Sequence, residues 1–239
     1  MHFNDYVFAT AAFAAAKVEL INGMVPEGWI LVYYALGDIN KDGKSDAIMV
    51  VENTDRSYLK RNTLTGPKVL NMNPRKMMVL FQTETNYKEV LRVGNSFPTE
   101  NSPDKPCLAD PLVEAGEIKI KDGDIKVALN YKSKCSKFDA TEHTFNFHYE
   151  GARFRLVGFD EMKLERITGN ATQYSIDYVA GQQKTVTGIN IYEKTKKRTK
   201  FESLKLSTPL YLDEISLACA PNNQIACSEK INQAQLSDL

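Results

Sequence analysis

The sequence predicts a mainly β protein built from antiparallel sheets, either a sandwich or an open barrel-like arrangement. Three observations lead there. Runs rich in Val, Ile, Tyr and Phe recur at short, regular intervals along the chain. Tight-turn signals separate them, Asp122-Gly123 being the clearest. Several runs alternate strictly: His143, Phe145, Phe147 and Tyr149 fall on one face, and Thr144, Asn146 and His148 on the other.

Taken in order, the first segment is Ala-rich. Val7–Ala16 has the apolar character of a signal-peptide core, but Met1–Tyr6 carries no Lys or Arg. Residues 1–23 are expected to be a short Ala-rich helix capped by Asn4 or Asp5, or else the remnant of a leader; the helix leads, since Ala has the highest helix propensity. Gly23–Trp29 reads as a turn, and Trp29, the only tryptophan, as a packing residue. Trp29–Leu36 and Ala47–Val51 are β-rich and flank a loop. Thr54–Pro74 is polar and reads as a long exposed loop. Lys76–Gln82 and Tyr87–Val93 form the next strand pair across Thr83–Asn86.

Phe97–Pro111 holds four prolines and admits neither helix nor strand. Glu117–Lys121 and Ile125–Tyr131 make a hairpin about Asp122-Gly123, and Glu142–Tyr149 turns at Gly151 into Arg153–Phe159. Glu161–Thr168 follows. Gln173–Val179 pairs with Lys184–Tyr192, and Phe201–Leu206 is the last strand. Ile225–Leu239 is compatible with one short helix. The domain division is 1–23, then a β domain over 24–215, then a tail over 216–239.

The segment Asp38–Asp46 carries the clearest chemistry. Asp38, Asn40, Asp42 and Asp46 stand at the first, third, fifth and ninth places, with Gly43 at the sixth. Calcium takes six to eight oxygens at about 2.3–2.6 Å. Asp38, Asn40 and Asp42 supply side-chain oxygens, Lys44 its backbone carbonyl, and Asp46 closes the site; Gly43 permits the sharp turn. The twelfth place is Met49, where a helix–loop–helix calcium hand needs Glu. A calcium-clamped β-hairpin over 29–53 is therefore expected. It resembles the metal hairpin of FG-GAP and integrin-type propeller repeats, whose motif also ends on Asp at the ninth place. Lys121–Asp124 is no second copy, because it lacks the upstream Asp and Asn, and one copy argues against a propeller.

Thirty basic and thirty acidic residues cancel, so no global field draws nucleic acid or anionic lipid. No apolar run approaches the ~20 residues of a membrane helix. The four cysteines lie in turn-rich segments and form no Cys-x-x-Cys. Of three connectivities, Cys107–Cys135 with Cys219–Cys227 is the local one. Disulfides and a calcium loop both point to an oxidising compartment, periplasmic or secreted.

The layout is also similar to a group of uncharacterised exported bacterial proteins. The shared residues are Pro26-Glu27-Gly28-Trp29, Gly37–Gly43, Asn73-Pro74-Arg75 and Cys107-Leu108-Ala109-Asp110-Pro111. The resemblance spans Met24 to about Ile215 and implies no established activity.

No serine elbow, His-Glu-x-x-His or phosphate loop occurs. Cys135 with Asp139, Glu142 and His143 suggests a thiol hydrolase, but a disulfide at Cys135 abolishes its nucleophile. Asp160-Glu161 and Asp213-Glu214 are adjacent, so on a strand they face opposite ways. Lys194–Lys200 is a basic run without the aromatics that base stacking needs. The leading expectation is a non-catalytic exported calcium protein that binds a protein partner, one form of which is a periplasmic immunity protein against a secreted toxin. The alternative is a cell-wall or sugar hydrolase using His143 and carboxylates. A calcium-dependent adhesin comes third.

Overall fold

A computed structural model describes residues 17–94, 97–135, 139–204 and 208–221. Its antiparallel strands form two main sheets and a small ribbon. Strands β1 (Trp29–Gly37), β2 (Asp46–Asn53), β5 (Arg75–Gln82) and β6 (Tyr87–Gly94) make a four-stranded sheet in that order. Strands β7 (Glu117–Lys121), β8 (Asp124–Lys132), β9 (Asp139–Glu150), β10 (Arg153–Glu165), β11 (Asn170–Asp177), β12 (Gln182–Asn190) and β13 (Arg198–Ser203) make a seven-stranded meander. Each neighbour in the meander follows in sequence, as short hairpin links require.

Period-two alternation explains the packing. Ile48 and Val50 of β2, and Met77 and Val79 of β5, join Val127, Phe145, Phe147 and Phe159 of the large sheet in one core. The intervening Ala47, Met49, Val51, Met78 and Leu80 face the other way, onto Ile21 of the helix at 17–23. The four-stranded sheet is thus covered on both faces, which is why Ala47–Val51 reads as an unbroken apolar run. Trp29 is half-buried at the rim of the second cluster, with the Lys76 ammonium 4.1 Å above its ring.

The sheets meet where β1 passes β7. The Ile118 N–H donates to the Tyr33 hydroxyl at 3.3 Å, and a Cβ on Gly37 would lie 2.6 Å from the Ile120 side chain. The β7–β8 turn has Asp122 at φ 55° and Gly123 at φ 83°, the mirror-image hairpin turn expected of Asp-Gly.

The strand pattern follows the sequence reading with three differences. Thr54–Pro74 is not a featureless loop: it holds a 3-10 turn (Arg56–Tyr58) and a two-stranded ribbon of β3 (Leu59–Arg61) and β4 (Val69–Asn71). Strands of three residues are too short to carry a periodic signal, so they are invisible in the sequence. Arg153–Phe159 and the start of Glu161–Thr168 are one long strand, β10, with a register shift between Leu156 and Gly158. The last strand begins three residues early, so the last three residues of the basic run, 198–200, lie in β13. The terminal segments before residue 17 and after residue 221, including the expected C-terminal helix and Cys227, lie outside the described residues.

Candidate functional site

The β1–β2 loop is held in shape by its own oxygen side chains. Asp38 accepts from the Asp42 N–H at 3.1 Å and the Gly43 N–H at 2.9 Å. Asn40 Oδ1 accepts from the Asp42 N–H at 3.0 Å, and Asp42 Oδ1 from the Lys44 N–H at 2.9 Å. Gly43 has φ +84°, a conformation open to glycine at little cost. Asp42 and Lys44 are exposed, and Asp38 and Asn40 half-buried.

Asp46 behaves differently. Its carboxylate is fully buried and accepts from Ile39 N–H (2.9 Å), Asn40 N–H (3.3 Å) and Gln82 N–H (2.9 Å). Burial pushes its pKa up further than these donors pull it down, and the Asp42 charge adds to the rise. The loop is also sewn to the β5–β6 hairpin: Ser45 N–H donates to Gln82 Oε1 at 3.1 Å, and the Tyr87 hydroxyl to the Ser45 carbonyl at 3.0 Å. Asp46 therefore anchors loop to sheet, a role that its ninth-place position does not announce.

As a donor set the loop is hard oxygen throughout, which fits calcium in kind. Among the described residues, Asp38, Asp42 and Asp46 make no ion pair, and no three His, Cys, Asp or Glu side chains are grouped as a metal cage. Each carboxylate oxygen can accept twice, so Asp38 and Asp42 retain acceptor capacity, as does Oδ1 of Asp46.

A second constellation is one that the sequence did not single out as a unit. Arg75, 2% exposed, donates from Nε to Glu52 at 2.8 Å and grips Asp110 with Nη1 at 3.0 Å and Nη2 at 2.5 Å. Burial pushes the Asp110 carboxyl up, but Arg75 and the N–H groups of Val113 and Leu112 outweigh it and hold its pKa below the usual range. Glu52 also accepts from Asn71 Nδ2 at 2.8 Å. Asn71 N–H donates to Asn101 Oδ1 at 2.9 Å, and the Asn73 side chain lies 3.0 Å from the carbonyls of Asn53 and Asp55.

The Asn-Pro-Arg and Cys-x-x-Asp-Pro segments thus meet as halves of one buried ionic joint. It fastens Thr54–Pro74 and Phe97–Pro111 to the four-stranded sheet. Beside it, Cys107 is disulfide-bonded to Cys135, as the local pairing anticipated. Cys219 is buried and disulfide-bonded, while Cys227 lies outside the described residues.

The residues considered for hydrolysis sit elsewhere. His143 is buried against Tyr131 and Phe159, with Nε2 3.1 Å from Glu161 Oε2 and Nδ1 unpartnered. Burial lowers its pKa despite the Glu161 carboxylate. A cleft of about 580 Å³ opens beside Asp139, Lys163, Glu165 and Asn170, and another of about 470 Å³ beside Glu19, Met24 and Asn86; His143 lines neither. Asp160 and Glu161 do diverge, to Ser175 and His143 respectively. Asp213 and Glu214, placed in a turn, instead converge on Arg153. Comparison with known proteins returned no matching family model, no matching curated relative and no matching solved structure.

Proposed function

We propose that this chain is an exported, non-catalytic β protein that binds calcium in its β1–β2 loop and a protein partner on its long loops. The observation that carries the calcium reading is the loop itself: four oxygen side chains and a glycine, with no cation paired to its three carboxylates among the described residues. Asp38, Asn40 and Asp42, the Lys44 carbonyl and Asp46 would hold the ion. Calcium would supply the counter-charge there and draw β1 and β2 together at their tip.

The Cys107–Cys135 disulfide supports an oxidising compartment, periplasmic or secreted. The non-catalytic reading is supported by Cys135 being locked in that disulfide and His143 being packed among rings. Long loops that are fastened rather than slack suit recognition. Within this reading, the partner role proposed is inhibition of a secreted bacterial toxin, on the resemblance to exported bacterial proteins alone.

The test is a melting curve of the oxidised protein with calcium and with chelator. Calcium at 100 times its dissociation constant stabilises the fold by about 2.7 kcal/mol. For a chain of this size that raises Tm by about 5–11 °C. Equal melting in both conditions, unaltered by Asp38→Ala/Asp42→Ala, overturns the calcium reading.

A further inference from the structure

The β3–β4 ribbon contributes almost nothing to the core, yet the fold fastens it at several points. Only Leu70, 2% exposed, points inward from it. Leu59, Arg61 and Val69 share the opposite face by register, and Leu59 and Val69 are 42% and 53% exposed. Asn62 closes the turn, its N–H donating to the Lys68 carbonyl at 2.9 Å and its amide to the Pro67 carbonyl at 2.8 Å. A Cβ on Gly66 would lie 3.1 Å from the Pro106 carbonyl, so the tip rests on the disulfide loop. The base is held by Asn71 to Glu52 and Asn101, beside the Arg75 joint. A ribbon braced this firmly loses little entropy when something binds it.

Its charge is one-sided. Residues 54–74 carry Arg56, Lys60, Arg61 and Lys68 against Asp55 alone, +3 in a chain whose total is zero. Among the described residues none of these four cations makes an ion pair. The single acid is already engaged, since Asp55 accepts from the Ser57 N–H at 2.8 Å. Alternation along the ladder turns the backbone of Arg61 to the outer edge of β3, where no further strand lies among the described residues.

We propose that this ribbon is the chain's docking face for an acidic segment of a partner protein, lying extended along β3. Carboxylates would meet Arg61 on one face and the exposed Lys60 and Lys68 on the other, as the side chains of an added strand alternate, and apolar side chains would cover Leu59 and Val69. Exposed strand edges accept such added strands, with backbone bonds for affinity and side chains for specificity. Anionic lipid fits less well, because only Leu64, 67% exposed, stands at the tip, while Leu59 and Val69 lie along the strand face. Nucleic acid fits less well too, because Tyr58 is the segment's sole aromatic. The inference deepens the partner-binding reading above and rests on it.

The test is selection of a random-peptide display library on the oxidised chain, with Lys60→Glu/Arg61→Glu as counter-selection. Both residues are exposed, so the variant keeps the parent's Tm. Enriched peptides are expected to be acidic, to weaken with salt, and to lose at least about tenfold in affinity for the variant. Arg198→Glu/Lys200→Glu on β13 should leave binding unchanged. No enrichment, enrichment of non-acidic peptides, loss of binding in the β13 variant, or preference for anionic vesicles each overturns the proposal. If peptides are captured through another face, the ribbon assignment alone falls and the partner reading stands. If nothing is captured by any face while calcium still stabilises the fold, partner binding falls and the metal reading stands.

Discussion

Replacing Arg75 by Met removes the cation from the buried joint and leaves both acids in place. The guanidinium makes Nε and Nη2 contacts to Glu52, a two-pronged contact to Asp110, and an Nη1 bond to the Pro98 carbonyl at 3.4 Å. Methionine restores some volume and none of these donors. Breaking a buried pair from one side costs about 3–5 kcal/mol, because the remaining charge is uncompensated. In a chain of this length that lowers Tm by about 6–20 °C.

The pH dependence is a second readout. In the parent, Asp110 titrates below its unfolded value, so its stabilisation is present above the ordinary carboxylate range and lost as pH falls through the folded pKa. In Arg75→Met the cation's share of that lowering is gone, so less stability is lost as acid is added and the gap to the parent narrows as pH falls. Urea titration across pH measures both effects. Glu52→Gln/Arg75→Met/Asp110→Asn, which removes the charges together, should recover much of the loss. A loss for Arg75→Met below about 1 kcal/mol, the scale of exposed pairs, refutes the reading of the joint as the fastening of the two long loops.

Three further outcomes follow from the geometry. Asp46→Ala leaves three backbone N–H groups without their acceptor, costing about 1–3 kcal/mol for each buried one; urea melts in chelator should show it, and an unchanged midpoint refutes the anchoring role. His143 stays neutral in the fold, so below about pH 6.5 the unfolded chain binds the extra proton, and stability falls by up to about 1.4 kcal/mol per pH unit until the lowered folded pKa is reached. His143→Gln should flatten that slope, and equal slopes exclude His143 as its source. Cys107→Ser/Cys135→Ser opens a link spanning 28 residues and costs about 3–4 kcal/mol in the chain-entropy model; equal denaturation midpoints for the parent and the double variant would exclude this bridge as a stabiliser.

Local periodicity was enough to determine the mainly β, antiparallel class of this protein. Alternation at His143–Tyr149, the unbroken run Ala47–Val51 and the Asp122-Gly123 turn each report a single strand's surroundings, and burial acts on each strand through its own side chains. The oxygen spacing of Asp38–Asp46 is local in the same sense. What only the tertiary structure decided involves partners distant in sequence. Asp46 meets Gln82, Arg75 meets Asp110, and His143 meets Glu161; nothing in the local pattern distinguishes an anchor from a ligand, or a packed histidine from a catalytic one. The β3–β4 ribbon escaped for a related reason. Its strands are too short to show a period, and their position comes from Asn71, Asn101 and the disulfide loop rather than from burial of a face of their own.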